Sequence, residues 1–273
     1  MPRATAMSIV EALAVAAMLA VGAVLVLPVL GGLRLRIDQG SCRRQLQLAS
    51  AALRQYASAN AGAFPTCGYG PGTVDFSVIG WNVDQQARQA NSNSRNLFLA
   101  VRLKYVQPRM LVCPATDDEP APLRGAGSTY HDFAVGSGQG YRNRLSYSYH
   151  LQFAGRKGQP GCPIRADSPP GMALLADRSP MLVYPGGPVG GGTVAQYVGL
   201  PAATPAEWAN SFNHNCAGQN VAFVDGRVLW FDRPTAGVDD DNIYTVWLGP
   251  DRQGGDVDRA SMPQGPTDSF LVP

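Results

Sequence analysis

Cys216, His214 and Asp225 place a thiol, an imidazole and a carboxylate in one short stretch of the chain. Those three groups can make a nucleophilic site, in which the base activates the thiol and the acid orients the base. Nothing in their spacing fixes the nucleophile near its base, and no strand–turn–helix elbow surrounds it. The plainer reading is structural: His214 and Asp225 bond across the base of a hairpin. The remaining histidines, His131 and His150, belong to no motif. No enzyme is expected.

Asp239, Asp240, Asp241 and Asn242 form a run of oxygen ligands of the kind that hard cations take. Their spacing is not that of an EF-hand loop, and consecutive acids are ordinarily a solvated turn. No cofactor is therefore expected, with calcium as the one alternative. The five cysteines are Cys42, Cys67, Cys113, Cys162 and Cys216. None lies at C-x-x-C spacing, so neither a zinc ribbon nor a thioredoxin-like motif is supported. Outside a reducing cytosol one or two disulfides are reasonable. The odd count leaves at least one thiol over, and spacing does not give the connectivity; Cys113–Cys162, flanking the central strands, is the pair we favour.

The elements that must carry these residues follow from the bulk composition. The chain has 273 residues, 45% hydrophobic and 15% charged, with net charge +2. A charged fraction near 25% is usual for globular proteins. A long uncharged N-terminal run and a body rich in Gly (31) and Pro (22) account for the deficit. A net charge near zero, with no basic cluster interleaved with aromatics, argues against nucleic acid as a partner.

Ala12 to Leu33 contains no charged or strongly polar side chain. That length suits one membrane-spanning helix, which needs about 20 apolar residues. A buried core helix would show a polar stripe, and a secretory signal would have a shorter apolar region of roughly 7–15 residues and a small-x-small cleavage site. Glu11 at the edge of this run is costly at mid-membrane, by about 2.5 kcal/mol or more, and needs a partner. Arg34, Arg36, Arg43 and Arg44 follow the run, against Arg3 before it. Charge counting alone places the C-terminal side in the cytoplasm.

The stretch Pro2-Arg3-Ala4-Thr5-Ala6-Met7-Ser8-Ile9-Val10-Glu11 resembles the type IV prepilin leader. In that family a short basic leader ends in a small residue, a prepilin peptidase cleaves after it, and the fifth residue of the mature chain is Glu. The resemblance implies cleavage after Ala6, Met7 as the new and possibly N-methylated terminus, and Glu11 as the acid that pairs with a neighbouring subunit's α-amino group. Ala6 stands where Gly is usual and Met7 where Phe is usual. Pro28 falls where many pilins bend. With the cysteines, the resemblance places the C-terminal side outside the cytoplasm.

After Gly40 the residues Cys42, Leu46, Ala49, Leu53 and Tyr56 recur at helical spacing, with Arg43, Arg44, Gln47 and Arg54 around them. Asn60, Gly62 and Pro65 stop that helix. Residues 61–91 read as loop, Ser92–Tyr105 as a short helix capped by Ser92 or Asn93, and Leu111–Cys113 as a brief strand ended by Pro114. Arg144–Phe153 alternates best. Leu145, Tyr147, Tyr149, Leu151 and Phe153 face one way, and Ser146, Ser148, His150 and Gln152 the other. Met172–Ala176 and Met181–Tyr184 are further strands. Val221–Val224 and Arg227–Phe231 are runs joined by Asp225-Gly226, a strong signal for a type I′ hairpin.

Asn213, His214, Gly218, Asn220, Asp225 and Gly226 resemble the C-terminal motif of a large bacterial prepilin-like family, in which His, nine residues and Asp-Gly recur. Here ten residues intervene, and Arg227 replaces a common His. The stem from Cys42 to Pro65, the Val112-Cys113-Pro114 step and Leu175-Ala176-Asp177 fit the same family in order. The resemblance implies an α+β, pilin-like fold. It has a leader over 1–6, a transmembrane helix and amphipathic stem over 7–60, and an antiparallel, loop-rich head over 61–273. The implied function is a structural subunit, pseudopilin-like, of a type II secretion or type IV pilus-like assembly. Its expected partners are the membrane, other pilin-like subunits and the prepilin peptidase. Its place is the inner membrane, single-pass, with the head extracytoplasmic. The alternative is a membrane-anchored extracytoplasmic binding protein for a polysaccharide or protein ligand. Mass measurement of the mature chain should find its terminus at Met7; an intact Met1 or a terminus beyond Leu33 removes the pilin-type processing.

Overall fold

The computed structural model describes residues 9–67, 79, 92–123, 130–133, 144–156, 159–180, 209–252, 257 and 261–272. Ala6, Met7 and the strand expected over Met181–Tyr184 lie outside the described residues.

The chain begins with α1 (Ile9–Ala59), a helix of 51 residues. Its second half buries the face Cys42, Leu46, Ala49, Leu53, Tyr56 and Ala57, while Arg43, Arg44, Gln47 and Arg54 stay exposed. The helix stops where Ala61 and Gly62 take positive φ, +52° and +83°, and Gly62 N–H returns to the Ala57 carbonyl at 2.8 Å. That reversal satisfies a terminal carbonyl that has no partner further along the helix.

The expected membrane helix is corrected. Among the described residues no helix is long and apolar enough to cross a membrane. The uncharged stretch is not an element of its own, because α1 runs on through Arg36 and Asp38 into the core. The single-pass inner-membrane placement falls with it. The second half of α1 belongs to the same core as the sheet. The fold is a small mixed one, helices against one antiparallel sheet.

That sheet has five strands in the order β6-β5-β4-β1-β7. They are β1 (Tyr147–His150), β4 (Ala173–Asp177), β5 (Gln219–Phe223), β6 (Val228–Phe231) and β7 (Leu271–Val272), while β2 (Gly155–Arg156) and β3 (Gln159–Pro160) form a separate ribbon. α1 lies across β4, β5 and β6. A second helix, α2 (Ser94–Arg102), buries Leu97, Phe98, Ala100 and Val101 in the same core. Asn93 stands at its N-cap position, but its side chain does other work. Its Nδ2 donates to the Tyr149 carbonyl at 2.8 Å, tying α2 to β1.

Both faces of the sheet are covered. Tyr147, Tyr149, Leu174, Leu175 and Ala222 pack towards α1, whereas Ala173, Ala176, Val221 and Phe223 join a second core with Ile243, Tyr244 and Phe270. Alternation along a strand explains most of this division. The exception is Leu174 and Leu175, consecutive yet in one core. The register against β5 slips between Ala173 and Leu175, and such a bulge turns successive side chains to the same side.

Two local expectations are corrected. The residues before Val112 form a 3₁₀ turn, Pro108–Leu111, and Val112 is extended without entering a ladder. The hairpin turn is not type I′. Gly226 N–H bonds the Phe223 carbonyl at 2.9 Å and Gly226 has φ +93°, but Asp225 does not take positive φ. A type I turn followed by a left-handed Gly has that pattern.

The second core contains ionisable groups. Burial pushes the Asp241 carboxyl up to about 7 and Asp268 up to about 6, from 3.8. Burial pushes His150 the other way, to about 4 from 6.5. For the two acids the fold favours the protonated form. Their contribution is fully present below 3.8 and is lost as pH rises through about 7. His150 contributes above 6.5 and loses its contribution as pH falls through about 4. The two acids together outweigh the one histidine. The melting temperature should therefore fall as pH rises from about 4 to about 7, and His150→Gln should steepen that fall. Thermal melts across this range check both, and a steady rise contradicts the assignment.

Candidate functional site

The residues that could do chemistry meet at the α1-side end of β4. Cys42 comes from α1 and Cys113 from the turn after the Pro108–Leu111 helix. They form a disulfide with Cα atoms 5.2 Å apart, across 71 residues of sequence. The favoured Cys113–Cys162 pair is thus corrected: Cys162 is a free thiol, as are Cys67 and Cys216. Cys113 is instead seated on the buried face of α1, where position 42 supplies the nearest thiol.

Asp177 closes β4 beside this bridge, and His214 ends a short 3₁₀ turn, Phe212–His214, just before β5. Ser211 starts that turn by accepting from Asn213 N–H at 3.3 Å, as an N-cap serine does. Asn215 leaves it in the left-handed conformation, φ +54°. This geometry aims Asn213 and His214 at the same carboxylate. Asn213 Nδ2 donates to Asp177 Oδ1 at 3.0 Å and to the Ser146 carbonyl at 2.7 Å. His214 Nε2 lies 3.3 Å from Asp177 Oδ2. From β5, Asn220 gives its backbone N–H to Asp177 Oδ2 at 2.7 Å and its Nδ2 to the same oxygen at 3.3 Å.

Cys113 Sγ stands 3.7 Å from His214 Nε2. All four residues, Cys42, Cys113, Asp177 and His214, are 0% exposed, and one donor atom from each lies within 4.8 Å of the others. The His214 ring meets Trp230 edge-on at 5.3 Å, and its Nδ1 has no hydrogen-bond partner. Two buried tyrosines register the site's charge. Burial and then the Asp177 carboxylate hold the Tyr147 and Tyr244 phenols well above 10. Two thiolates, an imidazole and a carboxylate oxygen would suit a tetrahedral metal, but here the sulfurs are joined as a disulfide and offer no thiolate.

The motif residues therefore divide. Asn213, His214 and Asn220 converge, but on Asp177, not on Asp225. Asp225 lies beyond the far end of β5 from His214. Its carboxylate takes Arg227 N–H at 3.0 Å and Nε at 2.5 Å, and its carbonyl takes Arg54 Nη1 at 2.6 Å. The expected His214–Asp225 bond is corrected accordingly. Gly218 serves the backbone: at φ +148°, a Cβ there would collide with the Phe231 carbonyl. Gly226 serves the hairpin turn. Cys216 is half-buried and outside the cluster, its thiol pushed up by burial. A thiol so shifted carries little thiolate, which makes it a weak nucleophile. Glu11 sits in the first turn of α1, away from this site.

Three of the four oxygen-ligand candidates are engaged with separate partners. Asp239, at φ +56°, pairs with Arg252 at 2.5 Å, and Asp240 follows at φ +61°. Asp241 is buried and spends both oxygens, on Trp247 Nε1 at 2.7 Å and Ser269 N–H at 2.6 Å. Asn242 Oδ1 accepts from Tyr244 N–H at 3.1 Å. Asp239, Asp241 and Asn242 each serve a different partner in the C-terminal segment.

Cys42, Cys113 and Asp177 stand in three separate segments, the stem, the Val112-Cys113-Pro114 step and the Leu175-Ala176-Asp177 run, and nothing local says that these meet. Removing Asp177 leaves His214, Asn213 and Asn220 with buried groups unsatisfied. Asp177→Ala should cost about 3–5 kcal/mol, the range for breaking a buried charged contact. Denaturant unfolding measures it, and a loss below about 1 kcal/mol would refute the network's role.

No protein-family model matches the chain, and neither does any curated protein or solved structure. The pseudopilin and type II secretion labels thus find no family support and are withdrawn.

Proposed function

We infer that the chain is a structural subunit, pilin-like in that subunits associate through their N-terminal helices. One observation carries this reading. Ile9, Val10, Leu13, Met18, Leu19 and Val24 on α1 are each between 65% and 80% exposed. A monomer in water rarely leaves more than a few hundred Å² of contiguous apolar surface uncovered. At about 1.5 Å per residue the stretch from residue 9 to residue 33 is roughly 36 Å long, so its uncovered face needs a partner of similar length. An equivalent helix supplies one. A lone binding protein leaves this surface without an occupant.

Glu11 adds specificity. It is the acidic residue of the first turn, where negative charge suits the helix dipole. In the proposed bundle it meets the α-amino group of the next subunit, an ion pair in a poorly screened setting. The prepilin-like leader and the Asn213–Gly226 motif support the same reading.

The test is crosslinking and co-purification at equal expression, comparing the native chain with Glu11→Ala and with Leu19→Lys. Both sites are exposed on α1, so the melting temperature of the sheet should not change. Association should fall about tenfold or more, the equivalent of ~1.4 kcal/mol. Undiminished association in both variants overturns the assembly reading.

A further inference from the structure

The geometry points to a second state of the buried cluster: when the Cys42–Cys113 bridge is reduced, its two sulfurs, with His214 Nε2 and Asp177, hold one tetrahedral divalent metal ion of the zinc class. The distances carry this. Tetrahedral zinc with Zn–S near 2.3 Å and Zn–N and Zn–O near 2.0–2.2 Å puts its N and O ligands about 3.4 Å apart and its S and N ligands about 3.6 Å apart. His214 Nε2 lies 3.3 Å from Asp177 Oδ2, and Cys113 Sγ lies 3.7 Å from His214 Nε2. Two edges of the tetrahedron already have the metal-bound length. The sulfurs must part from bonding distance to about 3.8 Å, and the remaining edges, all within 4.8 Å, must settle to a similar length.

Beside the bridge the chain also buries an acid and an imidazole, Asp177 and His214. Carrying those two groups into a site with no water contact is costly unless each is partnered. The surroundings also fit a metal. Two thiolates and one carboxylate against a divalent ion leave one negative charge. Asn213 Nδ2 and Asn220 N–H already donate to the Asp177 carboxylate and would spread that charge. Such outer hydrogen bonds hold a ligating carboxylate in place. His214 would ligate through Nε2, the nitrogen that already faces Asp177 and Cys113.

The conversion balances as follows. A dithiol reduces the bridge, giving two Cys thiols and the dithiol's own cyclic disulfide. The metal ion then displaces one proton from each thiol, and both protons leave to solvent. The cluster is fully buried, so both steps belong to a transiently open or newly folding chain. The same four residues thus close one chain crosslink in either redox state, covalently or through the metal.

The test uses the full chain. It is unfolded, reduced with a dithiol, freed of the dithiol, and refolded without oxygen in the presence of Co²⁺ or Zn²⁺. One Co²⁺ per chain should bind, with thiolate-to-cobalt charge-transfer absorption and the strong visible bands of tetrahedral cobalt. Zn²⁺ should displace it and protect Cys42 and Cys113 from alkylation, while exposed Cys67 still reacts. His214→Ala should weaken binding and lose the tetrahedral spectrum. The oxidised native chain, which needs no mutation and is already folded, should take up no metal. A reduced chain that folds without binding metal, or whose cobalt lacks thiolate bands, overturns the proposal and leaves a structural disulfide only. A reduced chain that reaches no folded state with metal present overturns it equally.

Discussion

A carboxylate with no access to water must be given its hydrogen bonds by the protein, and Asp177 imposes that demand on much of this fold. It ends the central strand β4. Its oxygens draw in the turn that carries Asn213 and His214, and the first residues of β5 through Asn220. Its backbone carbonyl takes the Tyr244 hydroxyl at 2.7 Å, which pins the segment covering the other face of the sheet. One group thus sets where β5 starts beside β4, how the His214 turn is oriented, and where the C-terminal segment lies. The Cys42–Cys113 bridge adds α1 to the same point.

Coverage of both faces follows from this arrangement and has its own cost. β1 presents Tyr147 and Tyr149 to α1 and must bury Ser148 and His150 on the other side. Ser148 is accommodated because its Oγ accepts from Ser179 N–H at 2.9 Å. The bulge at Leu174 resolves a second conflict, turning two adjacent leucines into the core under α1 while Ala173 and Ala176 fill the thinner one.

Local pattern and long-range pairing differed in how far they could be read. The buried face of α1 from Cys42 to Tyr56, the helix after Asn93 and the hairpin around Gly226 follow from spacing and turn residues within a dozen positions or so. Asn213, His214 and Asn220 were visible as a group, but their target was not. Asp177 is 36 residues before Asn213, and nothing in the local pattern tells Asp177 from Asp225. The alternation of Arg144–Phe153 gave the strand and two faces. It could not say that the polar face would also be covered, because that depends on residues near 243 and 270. The Cys42–Cys113 pairing was hidden for the same reason. The apolar run over 12–33 reads as a separate span, but α1 carries it on without a break through Arg36 and Asp38 into the core, and no local signal marks that continuation.

The unbroken course of α1 has a mechanical consequence. Its 51 residues make a rod of about 76 Å. A pull on the far end is carried along the rod until it reaches Cys42, the first fully buried residue among those described. There the load passes through a sulfur–sulfur bond into the Cys113 turn, before it reaches the interlocked side chains of Leu46, Ala49 and Leu53. Tension therefore meets a covalent link ahead of the weaker packing and the strand ladders behind it. The sheet is shielded from forces that would otherwise peel α1 away one turn at a time.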